Sequence, residues 1–252
     1  MAINIEDSEG DRISGRTNGM MIDILAFDAD DTLWDNEKSY LQAKEKYIQL
    51  LAPYSEPEWV EKKLDETEIH NVQVYGFGIK SFTLSMIETG LAITDSQITG
   101  AEIQAIFEIA RPMLSAEVDL FGQTEATLAQ LSQKVDLMLI TKGDSFEQEQ
   151  KVRRSGLSRY FRYVEVVGEK SEDTYRRILE KYQIDPAHFL MVGNSLKSDI
   201  LPVVRIGGKA VHIPYANTWS YEMEVVDEEH QDGYVTLNHL GELPSYFEKL
   251  VG

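Results

Sequence analysis

An α/β fold, a doubly wound parallel sheet with a helical cap inserted after its first strand, is predicted by three features of this 252-residue chain. An apolar run at 24–27 passes directly into Asp28, Asp30 and Asp31. A long block at about 37–113 carries apolar residues at helical spacing and contains no convincing strand. From about Val118 onward, short apolar strands alternate with amphipathic helix-like segments, the pattern of a parallel sheet covered on both faces.

Taken in order, residues 1–20 hold few apolar positions and several acids, among them Glu6, Asp7, Glu9 and Asp11, and are expected to form a mobile arm. The first strand follows at 24–27. Tyr40, Ala43, Tyr47, Leu50 and Leu51, then Trp59 and Leu64, then Phe82, Leu84, Met86 and Ile87 mark successive helices, punctuated by Pro53, Pro57, Gly76, Gly78 and Gly90. Ser96 or Thr99, each followed by an acid three residues on, is placed to start the last of them. Tyr47, Trp59, Phe77 and Met86 read first as core residues of this block, with some facing a substrate. The remaining strands are expected at 135–140, 164–167, 189–192 and 210–213. The chain thus leaves the sheet after Asp35 and returns before Phe121, which gives a core of 21–36 and 116–252 and a cap of 37–115.

Composition narrows the function. Lys and Arg number 24 against 43 Asp and Glu, a net charge of -19, which disfavours nucleic acid as a partner. No window approaches the roughly 20 apolar residues of a membrane span, and no basic region precedes an apolar stretch at the N-terminus. A soluble cytoplasmic protein, monomer or homodimer, is the expectation. The absence of cysteine excludes disulfides, thiolate metal sites and cysteine nucleophiles.

The acids after the first strand are the strongest chemical signal. If strand geometry persists, alternation sends Asp28 and Asp30 to the same side, where two carboxylates repel unless a cation lies between them. Mg²⁺ is the first candidate. One carboxylate can then attack phosphorus, and its neighbour, with a raised pKa, can carry protons. An isolated pair of this kind is more often a solvated acidic turn. Here, however, Thr141 follows the second strand, Lys170 the third, and Asn194 with Asp199 the fourth. Parallel sheets bind ligands at these strand ends, so the groups can converge. Lys142 and Asp144 are turn residues by default, although they are placed to line the same site. His188 and His212, at a strand start and a strand end, read as structural.

Across 22–214 these motifs resemble those of the haloacid dehalogenase superfamily of phosphohydrolases. The resemblance implies a Rossmann-like core, Asp28 as the nucleophile that becomes an aspartyl phosphate, and Asp30 as general acid and base. It also implies that Thr141 bonds the phosphoryl group, and that Lys170 screens the nucleophile and the phosphoryl oxygens. The metal would take the Asp28 carboxylate and the Asp30 backbone carbonyl, with Asn194 and Asp199 completing its site. Lys142 is assigned to substrate binding beside Thr141 and Lys170. Three positions depart from the family pattern: Asp31 stands where glycine is usual, Ser171 where proline commonly follows the lysine, and Asn194 where an aspartate is usual.

The function expected is Mg²⁺-dependent hydrolysis of a small phosphomonoester, with a small phosphorylated metabolite as partner. A phosphomutase would keep Asp30 and a similar cap, since it differs only in returning the phosphoryl group to a sugar instead of to water. A dehalogenase has no use for Asp30, since no leaving group must be protonated. A receiver-like phospho-acceptor wants its aspartate on a later strand and tolerates no large insertion after the first. The cap is expected to open and close about hinges near Asp35-Asn36 and Ser115-Glu117.

Overall fold

The computed structural model describes residues 20–217, 219–222 and 233–252. The arm expected at 1–20 lies outside the described residues except for Met20, whose amide donates to the Leu250 carbonyl at 3.1 Å. Among the described residues the sheet has six strands: β1 Ile24–Phe27, β2 Asp136–Lys142, β3 Tyr163–Val167, β4 Phe189–Gly193, β5 Lys209–His212 and β6 Tyr234–Thr236. All neighbours pair parallel in the order β3-β2-β1-β4-β5-β6. Strand β1 is central, with Ile24 opposite Asp136 on one side and Phe189 on the other.

The continuous apolar runs follow from burial on both faces. Leu25 and Phe27 join Leu137, Leu139, Leu190 and Val192 in one core, whereas Ile24 and Ala26 join Met138, Ile140, Phe189 and Met191 in the other. Helices α5 Thr124–Leu131 and α9 Leu243–Val251 supply Leu128, Leu131, Leu243 and Phe247 to the first core, which α6 Ser145–Arg154 joins through Val152. The second is covered by α7 Glu172–Tyr182 and α8 Leu201–Arg205, which supply Tyr175, Ile178, Leu179 and Val203.

Between β1 and β2 stand four helices, α1 Glu37–Leu51, α2 Pro57–Tyr75, α3 Ile79–Ile93 and α4 Gly100–Ser115. They pack on an apolar cluster of their own, with Ala43, Tyr47 and Leu51 one turn apart on α1 meeting Leu64, Met86 and Ile106. Thr99, not Ser96, starts α4: its hydroxyl accepts the Glu102 amide while the Glu102 carboxylate accepts the Thr99 amide, a reciprocal capping box.

Several expectations need correction. Strand β2 runs on through Thr141 and Lys142, so these residues end the strand instead of following it. Ile213 lies beyond β5. Strand β6 was not anticipated: it is a three-residue edge strand with two of its residues exposed, and so has no apolar run to announce it. Trp59 is 53% exposed and belongs to no core, because helical spacing alone does not say which face of α2 turns inward.

Candidate active site

The chain passes from β1 to β2 and β3 on one side of the sheet, then crosses β1 to β4 and onward on the other. The crevice at the carboxyl ends of β1 and β4 is therefore the place where a doubly wound sheet opens to a ligand. A cavity of about 140 Å³ lies there. Asp28, Asp30, Thr141, Lys142, Lys170, Asn194 and Asp199 all line it. Its opposite wall comes from three helices, with Glu37, Tyr40 and Lys44 on one face of α1, Glu68 on α2, and Ser81 and Ser85 on α3.

Asp28 follows β1 and is 6% exposed. One of its carboxylate oxygens pairs with the Lys170 ammonium, and the other accepts the Thr32 hydroxyl at 2.9 Å. The same hydroxyl lies 3.2 Å from Asn194 Oδ1, which sets these two oxygens within reach of one small group. Burial pushes the Asp28 carboxyl up to about 7, with Lys170 opposing the rise and Asp199 adding to it. Lys170 also holds Asp199 Oδ1 at 2.6 Å, and both side chains are almost wholly buried. Burial alone would lower the lysine, but the Asp199 and Asp28 carboxylates hold it above its ordinary range.

Local sequence explains how these groups are held. After β4 the chain makes a π-helical turn at Leu196–Ile200, which folds Asp199 back so that its Oδ2 accepts the Ser195 amide at 3.0 Å. Gly193 permits this approach, since a Cβ there would stand 2.3 Å from Asp199 Oδ2. Ser171, in the place of the usual proline, caps α7 by accepting the Thr174 amide, so the helix start survives the exchange. Asp31 takes φ 62, the left-handed conformation that glycine adopts without strain. Its Oδ1 accepts the Asn36 and Glu37 amides, each at 2.9 Å, which ties the turn to the start of α1. An aspartate can therefore occupy a glycine position because its short side chain repays the strained backbone with two hydrogen bonds.

The strand geometry does not persist as far as Asp30, although it lines the same cavity as Asp28. Strand β1 ends at Phe27, and the turn that follows swings the Asp30 carboxylate toward α6, where it meets Lys151 (2.6 and 2.5 Å) and Gln148 (2.9 Å). Trp34 Nε1 donates to it at 2.6 Å. Nor is its pKa raised: burial acts upward, but the Lys151 ammonium and these hydrogen bonds hold the carboxyl below its usual range. Thr141 ends near the same helix, its hydroxyl donating to Gln148 Oε1 at 3.1 Å.

Lys142 is more than a turn residue. Its ammonium donates to Ser198 Oγ at 2.9 Å, pairs with the Glu222 carboxylate and stands 4.4 Å from the centre of the Phe77 ring. Asp144 caps α6 through the Glu147 amide and pairs with Lys80 at 2.7 Å. His212 lies behind the site, within 3.1 Å of the Asn194 carbonyl, and His188 pairs with Asp23 away from it.

Sequence reasoning gave Thr32 no role and missed Gln148, Lys151 and Glu147. The last three are polar residues on one face of the short helix α6, and Glu147 and Gln148 are buried there. Polar residues on a buried helix face are the signal that could have marked them. Glu147 accepts the Ile79 and Lys80 amides at the start of α3, 3.0 and 3.3 Å away, so α6 grips the helical block as well as Asp30. Gly78 makes room for that grip, for a Cβ there would lie 2.6 Å from Glu147 Oε2.

Fold and site together define an α/β protein of the doubly wound class that carries a buried aspartate at the carboxyl end of its central strand. A family model described as haloacid dehalogenase-like hydrolase matches residues 22–207, and the chain belongs to that family of hydrolases. A crystal structure of a haloacid dehalogenase-like family hydrolase from Xanthomonas campestris superposes with a TM-score of 0.82 at 33% identity, covering 92% of this chain and 97% of that one. The 5-amino-6-(5-phospho-D-ribitylamino)uracil phosphatase YigB of Escherichia coli (strain K12) is 27% identical over 209 residues, 76% of this chain and 83% of the relative. The 2-haloacid dehalogenase of Pseudomonas syringae pv. Tomato DC3000 shares the fold, with a TM-score of 0.62 at 20% identity over 91% of this chain and 99% of its own.

Proposed function

We propose that this hydrolase is a Mg²⁺-dependent phosphatase that cleaves a small phosphomonoester through an aspartyl phosphate on Asp28. The observation that carries the reading is the buried Asp28–Lys170–Asp199 cluster at the carboxyl end of the central strand. Asp28 attacks phosphorus, and the bond from phosphorus to the ester oxygen breaks. That oxygen takes its proton from Asp30, which Lys151 holds ionised in the free protein and which must therefore bind a proton as the substrate enters. Water then attacks the acyl phosphate, Asp30 receives the proton, and the phosphorus bond to Asp28 is cleaved. Lys170 and the Thr141 hydroxyl offset the charge on the phosphoryl oxygens. Asp30 also argues against dehalogenation, which needs no proton delivered to its leaving group.

The donor set fits a divalent ion of the magnesium kind. When ionised, Asp28 and Asp199 outweigh Lys170 by one charge, and Asn194 Oδ1 adds a neutral oxygen beside Asp28. Among the described residues no three His, Asp or Glu side chains form a ready-made cage. That suits Mg²⁺, which is usually held by one or two carboxylates and keeps several waters. Asp28, Asn194, Asp199 and the Asp30 carbonyl would hold it, and when bound it neutralises charge on the phosphoryl oxygens. Lys142 is read as a substrate contact.

Residues 37–115 are read as a cap over a core of 21–36 and 116–252. The cavity, at about 140 Å³, is smaller than the roughly 300–1,000 Å³ of most small-molecule sites. The block that supplies its far wall is read as shifting to admit a substrate, with the chain bending near 35–36 and 115–117. The activity named for YigB supports the phosphatase reading and puts that ester first in a screen.

The test is a screen of phosphorylated metabolites with phosphate detection, run with Mg²⁺ and with excess chelator. Equal hydrolysis in both would remove the metal from the mechanism. Calorimetric titration of Mg²⁺ then reads the ligand set. Asn194→Asp is expected to tighten binding by adding a charge, and Asp199→Asn to weaken it markedly by leaving Asp28 as the one carboxylate for the ion. Unchanged affinity in Asp199→Asn would show that the metal lies elsewhere.

A further inference from the structure

Asp30 is held more firmly than a proton carrier with one partner would be. A carboxylate offers four lone-pair directions, and here Oδ1 accepts from Trp34 (2.6 Å) and Lys151 (2.6 Å) while Oδ2 accepts from Lys151 (2.5 Å) and Gln148 (2.9 Å). Trp34 and Gln148 each grip one oxygen. Only the Lys151 ammonium bridges both, and together with those two donors it fixes the plane of the carboxyl group about its last torsion, which in aspartate is otherwise broad. Lys151 reaches further, to Asn36 Oδ1 at 3.1 Å, and so ties that plane to the point where the chain leaves the sheet for α1. The ion pair is largely shielded, with Lys151 16% and Asp30 21% exposed.

We propose that Lys151 is a positioning residue for the reaction, aiming the Asp30 carboxyl at the leaving-group oxygen and linking that aim to Asn36. The inference rests on the phosphatase reading, in which Asp30 carries the proton. General acid catalysis needs donor and acceptor within about 2.6–3.2 Å, so a carboxyl free to rotate loses most of its effect although it remains in the site. The loss must fall on substrates that need a proton at the leaving oxygen. An alkyl phosphate needs it, whereas p-nitrophenyl phosphate departs as a stable anion and needs it little.

The experiment measures kcat and KM for an alkyl phosphate and for p-nitrophenyl phosphate in the wild type, Lys151→Met, Lys151→Arg, Asp30→Asn and the double variant Asp30→Asn/Lys151→Met, with Mg²⁺ present throughout. Lys151→Met is expected to lower kcat about 10²-fold on the alkyl ester and less than about fivefold on the nitrophenyl ester, with KM little changed. Lys151→Arg, whose guanidinium can bridge the same two oxygens, should recover most of the alkyl rate. In the double variant the lysine change should add little to the aspartate change, because both remove one function. An equal loss on both esters, no loss, or full additivity with Asp30→Asn would each overturn the proposal. Asp28→Asn serves as the separate control: if it retained full activity, the aspartyl phosphate mechanism would fall, and the inference with it, whereas failure of the wild type to hydrolyse either ester would overturn the phosphatase reading.

Discussion

Asp28→Asn is expected to abolish phosphatase activity, lowering kcat by roughly 10³-fold or more, the order of loss that follows removal of a catalytic nucleophile. An amide nitrogen in place of one carboxylate oxygen leaves the volume almost unchanged. The Thr32 hydroxyl, 2.9 Å from Asp28 Oδ2, keeps an acceptor if the amide oxygen turns toward it, and Lys170 keeps Asp199. The variant should therefore fold. What disappears is the anionic oxygen that attacks phosphorus, together with one of two carboxylates for the metal. Steady-state kinetics with the best ester from the screen, and a search for phosphoryl transfer to the protein under acid quench, read the two steps separately. Substantial turnover in this variant would end the aspartyl phosphate mechanism.

The second large effect belongs to Lys170, and it concerns stability as well as catalysis. Lys170→Met removes the cation shared by Asp28 and Asp199 and leaves two buried carboxylates facing each other. Removal of one member of a buried charge set costs about 3–5 kcal/mol, because the remaining charges lie out of water and unpaired. Urea unfolding in the presence of chelator, at neutral pH, should show a loss of that order together with loss of activity. The loss should shrink at acid pH. Burial already raises the Asp28 carboxyl to about 7 in the native protein, and removal of the lysine raises it further. A carboxyl raised above its unfolded value near 3.9 stabilises the fold fully below that value and less as pH rises through the native one, so the variant recovers stability toward pH 4. A wild-type unfolding curve for Lys170→Met at pH 7 would show that the cluster is not coupled as its geometry indicates.

Much of this molecule is legible in its linear order because the physics involved is local. Residues 24–27 announce a strand buried on both faces, since every one of them is apolar. Spacing at 37–113 announces helices, since Ala43, Tyr47 and Leu51 recur at the helical turn. Five of the six observed strands, and the convergence of Asp28, Thr141, Lys170, Asn194 and Asp199, follow from one rule: consecutive parallel strands present their carboxyl ends on the same side. The departures at Asp31, Ser171 and Asn194 are visible too, but their consequences are not. Only the fold shows that Asp31 accepts two amides at a positive φ and that Ser171 caps α7.

Contacts between distant segments were decided by tertiary structure alone. The Asp30 carboxylate turns toward α6 because a turn begins at the end of β1 and because Lys151, 121 residues further on, lies across from it. Strand periodicity describes two residues in one strand and says nothing of a turn whose direction is set by a partner on α6. The Thr32 hydroxyl meets Asn194 across 162 residues for the same reason, and Gln148 joins Thr141 to Asp30. Trp59 is spaced as if for a core and stands in solvent, because periodicity fixes the interval between residues on a helix face but not the direction in which that face turns. Composition and order were thus enough to place the acids, the threonine and the lysine at one edge of the sheet. The ionisation state of Asp30, and the lysine that controls it, depend on distances of 2.5–2.6 Å between chain segments that only folding brings together.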